Sequence, residues 1–321
     1  MAELTITELL SQQVVAVEPM DAMAEAGRKI LLIDFVTMLE NEVGSRMDDG
    51  IEAVHDMRVA TRRMRSVLHL LGGYYKGKRT RTYQQHLNQL ADVLGAVRDL
   101  DVMFAPLVQY HATLEDEADQ ANLQVVIDKL GKKRAKARAK LNAYLDSKSY
   151  RKFVEGFVTF VTQAGKGAKA IADETAPFQV RHVLPIILNE QVASVRAYDN
   201  VLGDASPETL HALRIAFKRL RYTVDCFSDV LGPTAEAYNE KIKVLQDHLG
   251  ALNDLTVAQS TLRGLIDDGV VKKAQKGVIK GYVKVLKAQQ SELLEGLPSA
   301  WEHFNTRTVQ SKLMNAILAL R

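Results

Sequence analysis

The chain has 321 residues, 47% hydrophobic and 25% charged, enough to bury the core of one large or two ordinary folded domains. Its one cysteine, Cys226, excludes an internal disulfide, and its longest apolar runs, such as residues 30–33 and 183–188, fall far short of the roughly 20 residues that span a bilayer. A net charge of +3 does not announce a polyanionic partner, so the distribution of charge matters more than its sum.

The opening Met1-Ala-Glu-Leu-Thr5 lacks both the basic and the apolar region of a secretion signal, and the expected location is the cytoplasm. Apolar residues then recur at helical spacing along the chain, as at Leu90, Val93, Leu94 and Val97 and again at Leu213, Phe217, Leu220 and Val224. Alternating strand-like runs are scarce, so the predicted fold class is all-α. Breaks are expected at Asp48-Asp-Gly50, Gly72-Gly73, around Gly131, at Asp204-Ala-Ser-Pro207, at Gly232-Pro233 and at Gly296-Leu-Pro298.

The first motif is His55-Asp-Met-Arg58-Val-Ala-Thr-Arg62-Arg63-Met-Arg65. On a helix each residue turns about 100°, so His55, Arg58, Arg62, Arg65 and His69 form a ladder within a stripe about 80° wide, flanked by Arg63. Met57, Met64, Leu68 and Leu71 take other bearings and can face a core. Further along, Leu94-Gly-Ala-Val-Arg-Asp-Leu-Asp-Val102 opens another amphipathic segment. Residues 129–140 then hold seven cations and no acid, and Lys129, Lys133, Lys136 and Lys140 share one face.

The pattern returns after the link Gly165-Lys-Gly-Ala-Lys-Ala. Ser206 and Pro207 read as an N-cap and first helical residue, with His211 in the first turn. A second ladder follows, His211, Arg214, Lys218 and Arg221 flanked by Arg219, with Asp225 where the first ladder has His69. His211 lies 156 residues after His55, and Leu249-Gly-Ala-Leu-Asn-Asp-Leu-Thr-Val257 lies 155 after its counterpart. Two matches at nearly one offset predict an internal duplication into halves 1–165 and 175–321, each a four-helix bundle joined by short connections. The second lysine face comprises Lys273, Lys276, Lys280, Lys284 and Lys287.

Like charges at these spacings destabilise a helix unless something negative lies opposite. Internal carboxylates are one source, with Asp99, Asp101 and Asp254 as candidates. An external polyanion is the other. Arginine's planar fork suits bidentate contact with phosphate, lysine adds mobile charges, and four stripes suit a long repetitive ligand such as linear polyphosphate. The two histidines can donate to phosphate or orient a neighbouring arginine.

No catalytic constellation, phosphate-binding glycine loop, metal-ligand set or cofactor fingerprint accompanies these stripes. His55-Asp56 invites a metal-dependent phosphohydrolase reading, but the second copy carries His211-Ala212. Aromatic residues are sparse near the ladders and no helix-turn-helix or zinc-finger spacing occurs, so sequence-specific nucleic-acid binding is not expected.

The His-x-x-Arg-Val-x-x-Arg-Arg-x-Arg block followed by Leu-Gly-x-x-Arg-Asp, repeated as His-x-x-Arg-Ile-x-x-Lys-Arg-x-Arg and Leu-Gly-x-x-Asn-Asp, resembles the conserved histidine α-helical domain, known as CHAD. The resemblance covers residues 20 to 315. It implies two four-helix bundles related by pseudo-twofold symmetry, with basic residues lining a groove for inorganic polyphosphate. Carried onto this chain, that groove takes His55, Arg58, Arg62, Arg63 and Arg65 from the first motif and His211, Arg214, Lys218, Arg219 and Arg221 from the second. His69, Lys133, Lys136, Lys140, Lys280 and Lys284 extend the candidate set from the ladder and the lysine faces. The Glu-x-Glu-x-Lys motif of the hydrolase domain often fused to the family is missing, which favours a stand-alone, non-enzymatic module. Docking on polyphosphate or storage granules is a further expectation.

Overall fold

The computed structural model describes residues 6–47, 49–203 and 205–320. In chain order its helices are α1 (Ile6–Ser11), α2 (Met23–Glu40), α3 (Glu42–Ser45), α4 (Ile51–Leu71), α5 (Gly77–Ala112), α6 (Glu117–Leu145) and α7 (Lys148–Thr162). Then follow α8 (Val180–Arg196), α9 (Pro207–Cys226), α10 (Ser228–Asp267), α11 (Lys273–Phe304) and α12 (Arg307–Ala319). Among the described residues there is no β-strand, and the fold is all-α.

Helix α4 buries Val54, Met57, Ala60, Thr61, Met64, Val67, Leu68 and Leu71, a set spaced by threes and fours that fixes which side meets the core. The cationic ladder therefore takes the other side. Helix α9 does the same with Leu213, Phe217, Leu220 and Val224. Its start is set locally: Ser206 Oγ accepts the Thr209 N–H at 3.2 Å and Pro207 occupies the first turn. His211 is the fifth residue of that helix, just beyond the first turn.

Some expected breaks are real and others are not. Gly72–Tyr74 forms a 3-10 turn after α4, and Gly232, at φ 69°, bends α10 before Pro233. Gly131, however, lies inside α6, and Gly296 and Pro298 lie inside α11. The helices run on there because both flanks are packed: Leu130 and Leu141 are buried on α6, Leu286 and Trp301 on α11. The actual stops come later, where Ser147 and Thr306 side chains cap new helices by accepting the N–H groups of Tyr150 and Val309. The expected breaks at 48–50 and 204–207 each include one residue, Asp48 or Asp204, outside the described set.

The order and lengths of α2, α4, α5, α6 and α7 are repeated by α8, α9, α10, α11 and α12. In each set the helices pack on their neighbours, and α4 meets α9, α2 meets α8 and α6 meets α11 between the sets. The larger core draws on both, with Phe35, Phe153, Phe157 and Phe160 in one and Phe217, Trp301 and Phe304 in the other. A second core joins the far ends of α5 and α6 (Met103, Leu107, Leu123, Val126) to those of α10 and α11 (Leu262, Leu265, Val278, Ile279). There Tyr110 and Tyr282 stack at 4.6 Å and Lys129 Nζ donates to the Val270 carbonyl.

The helix-free segment 163–179 is tied back to the first set at both ends. Lys76 N–H donates to Gly167 O at 2.8 Å and Lys169 N–H to Tyr74 O at 2.9 Å, while Met23 N–H donates to Phe178 O and Val180 N–H to Asp21 O, each at 2.9 Å. Gly165 and Gly167, at φ 71° and 77°, make the turn that allows the first pair.

Candidate anion-binding cleft

Because α4 and α9 pack together with their apolar faces turned into the core, their two cationic ladders converge. The Arg62 guanidinium lies 5.3 Å from the centroid of the Tyr222 ring, so a charge of the first ladder rests on an aromatic of the second helix. Burial pushes the Arg62 pKa down, and Arg58, Arg214 and Arg221 add to this against the opposing influence of Tyr222. Arg214 is lowered by burial and, more weakly, by Arg58. Lys218 is depressed to about 7, first by burial and then by Arg214, Arg62 and Arg58, with Asp254 opposing. His55 is also lowered, by burial and then by Arg98.

The cations are thus crowded, half-buried and short of counter-charge. The Nε atoms of Arg62, Arg214 and Arg221 and Nδ1 of His55 are buried without a hydrogen-bond partner. A buried polar atom left in that state costs about 1–3 kcal/mol, so an acceptor-rich ligand gains by supplying what the protein withholds.

The expected internal carboxylates are divided. Asp99, raised by burial, lies near Arg58, and Asp254 lies near Arg214 and Lys218. Asp101, on α5, instead faces α6: it pairs with Arg134, and with Arg138 at 3.7 Å, while Arg138 also donates to the Met47 carbonyl. Arg63 turns from the ladder to Asp34, at 2.8 Å, and reaches Asp225 at 3.9 Å. Asp225 lies 3.7 Å from Arg221 and accepts from Asn239. The residue that replaces the terminal histidine of the second ladder therefore links the two sets of helices.

Arg65, His69 and Arg219 are exposed and line a cavity of about 600 Å³ beside the ladders, together with Arg62 and Lys218. His211 is exposed near the start of α9. Lys133, Lys136 and Lys140 on α6 and Lys280 and Lys284 on α11 are exposed, and none of them lines that cavity. Gln84 and Asn88 of α5 and Gln191 of α8 complete its wall. A spacing of four marks the first two in sequence, but nothing local marks Gln191. Among the described residues no cluster of three or more His, Cys, Asp and Glu forms a metal-binding group, and no helix is long and apolar enough to cross a membrane.

Fold and cleft together define an all-helical protein whose two basic helices meet face to face. The family model for the CHAD domain matches residues 29–263, and the chain belongs to that family, one associated with polyphosphate binding. The crystal structure of the CHAD domain from the plant Ricinus communis superposes with a TM-score of 0.73 at 23% identity, covering 92% of this chain and 96% of that one. PptA from Streptomyces chartreusis superposes with a TM-score of 0.65 at 14% identity, covering 88% and 100%. The uncharacterized protein Rv2226 of Mycobacterium tuberculosis is 26% identical over 215 residues, which are 67% of this chain and 40% of that protein. The chain thus spans about 40% of the length of the curated relatives it matches.

Proposed function

We propose that this protein binds inorganic polyphosphate in the cleft between α4 and α9 and does not turn it over. The observation that carries the reading is the convergence of Arg58, Arg62, Arg214, Lys218 and Arg221, with the buried Nε atoms of Arg62 and Arg214 left without a hydrogen-bond partner. A linear phosphate chain supplies acceptor oxygens at each step along such a row, and the exposed lysines of α6 and α11 extend the positive field beyond it. Cytoplasmic residence and attachment to polyphosphate or storage granules follow from the same reading.

Titration calorimetry with long-chain polyphosphate, duplex DNA and single-stranded DNA at about 50 and 200 mM salt tests it. By analogy with counterion release on nucleic acids, affinity for polyphosphate falls about 10³-fold between the two salts and exceeds that for either DNA. Arg58→Gln with Arg214→Gln weakens it without loss of helicity. Salt-independent binding, or equal affinity for all three polymers, overturns the reading. Phosphate release in the presence of a divalent metal, abolished by Asp56→Ala, would establish the hydrolase alternative instead.

A further inference from the structure

The cavity between α4, α5, α8 and α9 has a chemistry that inorganic phosphate alone does not match. A phosphate chain offers acceptor oxygens and negative charge, with no apolar face. Arg62, Arg65, Lys218 and Arg219 complement it. His69 also offers it a donor, but much of the remaining wall does not match it. Val67, Leu70, Ile215 and Cys226 supply carbon and sulfur surface, and Ile215 is 37% exposed, an uncovered aliphatic side chain beside cations.

Three carboxamides, Gln84, Asn88 and Gln191, also line the space, and each presents an acceptor as well as donors. Gln84 Nε2 is fixed on the Leu68 carbonyl at 3.3 Å. Gln191 Oε1 is buried with no partner, and so is the Tyr222 hydroxyl, on a side chain only 7% exposed. An orphaned carboxamide oxygen is repelled by phosphate oxygen and satisfied by an N–H or O–H group. A volume of about 600 Å³ lies within the range of small-molecule sites, generally concave pockets with an apolar wall and a few placed polar groups.

We propose that this cavity takes the organic end of a phosphate ester, a nucleoside polyphosphate, with its phosphates on Arg62, Arg65, Lys218 and Arg219 and its base and sugar among the apolar and carboxamide groups. The inference rests on reading the cleft as a polyphosphate site and extends it: the inner end of the cleft accepts a phosphate chain capped by a flat group that carries hydrogen-bond donors.

The test compares inorganic tripolyphosphate with each of the four ribonucleoside triphosphates by calorimetry on the full chain, without divalent metal and with long-chain polyphosphate in parallel. At least one nucleotide is expected to bind tenfold or more tighter than tripolyphosphate. Gln191→Leu with Asn88→Leu is expected to remove that margin and leave tripolyphosphate and long-chain polyphosphate affinities unchanged, which also reports that the variant is folded. If no nucleotide exceeds tripolyphosphate, or if the margin survives both substitutions, the inference is overturned. Retained long-chain binding in that case leaves the polyphosphate reading standing. A nucleotide margin that the variant removes, together with no long-chain binding, supports the nucleotide site and removes the polymer reading.

Discussion

Arg62 of α4 lies over the ring of Tyr222 of α9, 5.3 Å from its centroid, so an aromatic face takes the place of a carboxylate beneath a half-buried guanidinium. The ring steadies the cation without neutralising it, which keeps its charge available to a ligand. A cation over an aromatic face is worth about 2 kcal/mol when desolvated. Tyr222→Leu should therefore lower stability by about 2 kcal/mol in urea unfolding, whereas Tyr222→Phe, which keeps the face and removes an unpartnered hydroxyl, should equal or exceed the parent. Equal loss in both variants would show that ring packing with Arg62 is not the source.

Lys218 couples ligand binding to protons. Its pKa is depressed to about 7, first by burial and then by Arg214, Arg62 and Arg58. A lysine whose folded pKa lies below its unfolded value destabilises the fold when forced to stay charged, and that penalty fades as pH rises through 7 toward about 10.4. A bound polyanion restores the charged form, so binding at pH 8 should take up protons and weaken as pH increases. Calorimetric enthalpies in Tris and in a buffer of low ionisation enthalpy should differ by the proton uptake. Lys218→Arg should erase the difference while keeping binding; an unchanged difference would assign the proton elsewhere.

Asp101 serves the fold rather than the ladders. Its carboxylate lies beside Arg134 and beside Arg138, which is 3% exposed. Removing one member of a buried ionic group leaves uncompensated charge, at a cost of about 3 kcal/mol or more. Asp101→Asn should lower the urea midpoint correspondingly and leave polyphosphate affinity within about twofold. A large change in affinity without loss of stability would place Asp101 among the ligand-facing groups.

Gly27 lets α2 pack closely on the end of α4 and the turn that follows it. A Cβ there would stand 2.5 Å from the Tyr75 hydroxyl and 2.9 Å from Leu71 Cδ1, and the hydroxyl is held by its hydrogen bond to the Ala24 carbonyl. Gly27→Ala should destabilise by about 1–2 kcal/mol even though alanine favours an exposed helix by about 1 kcal/mol. Adding Tyr75→Phe should recover part of that loss in a double-mutant cycle; additive losses would locate the strain elsewhere.

Much of this arrangement was legible in the sequence because it is periodic. The three-and-four spacing of Met57, Met64, Leu68 and Leu71 against Arg58, Arg62 and Arg65 assigns each side chain to a face of α4 whatever the rest of the chain does. The Ser206-Pro207 start was readable for the same local reason. Gly131, Gly296 and Pro298 misled, because a glycine or proline weakens a helix by a few kcal/mol at most while packed flanks hold it. The run from Lys129 to Lys140 looked uniform, yet Lys129, Arg134 and Arg138 have partners within the chain and Lys133, Lys136 and Lys140 are exposed.

What the sequence by itself determined is the helical class, the family and the face on which each cation stands, since those depend on neighbours within one or two turns. Which charges meet was decided only by the tertiary structure. Packing brought Arg62 to Tyr222, Arg63 to Asp34 and Asp225, and Gln191 into the wall of the cavity. Those meetings depend on how helices far apart in the chain bury their apolar faces together, a global solution that no local spacing encodes.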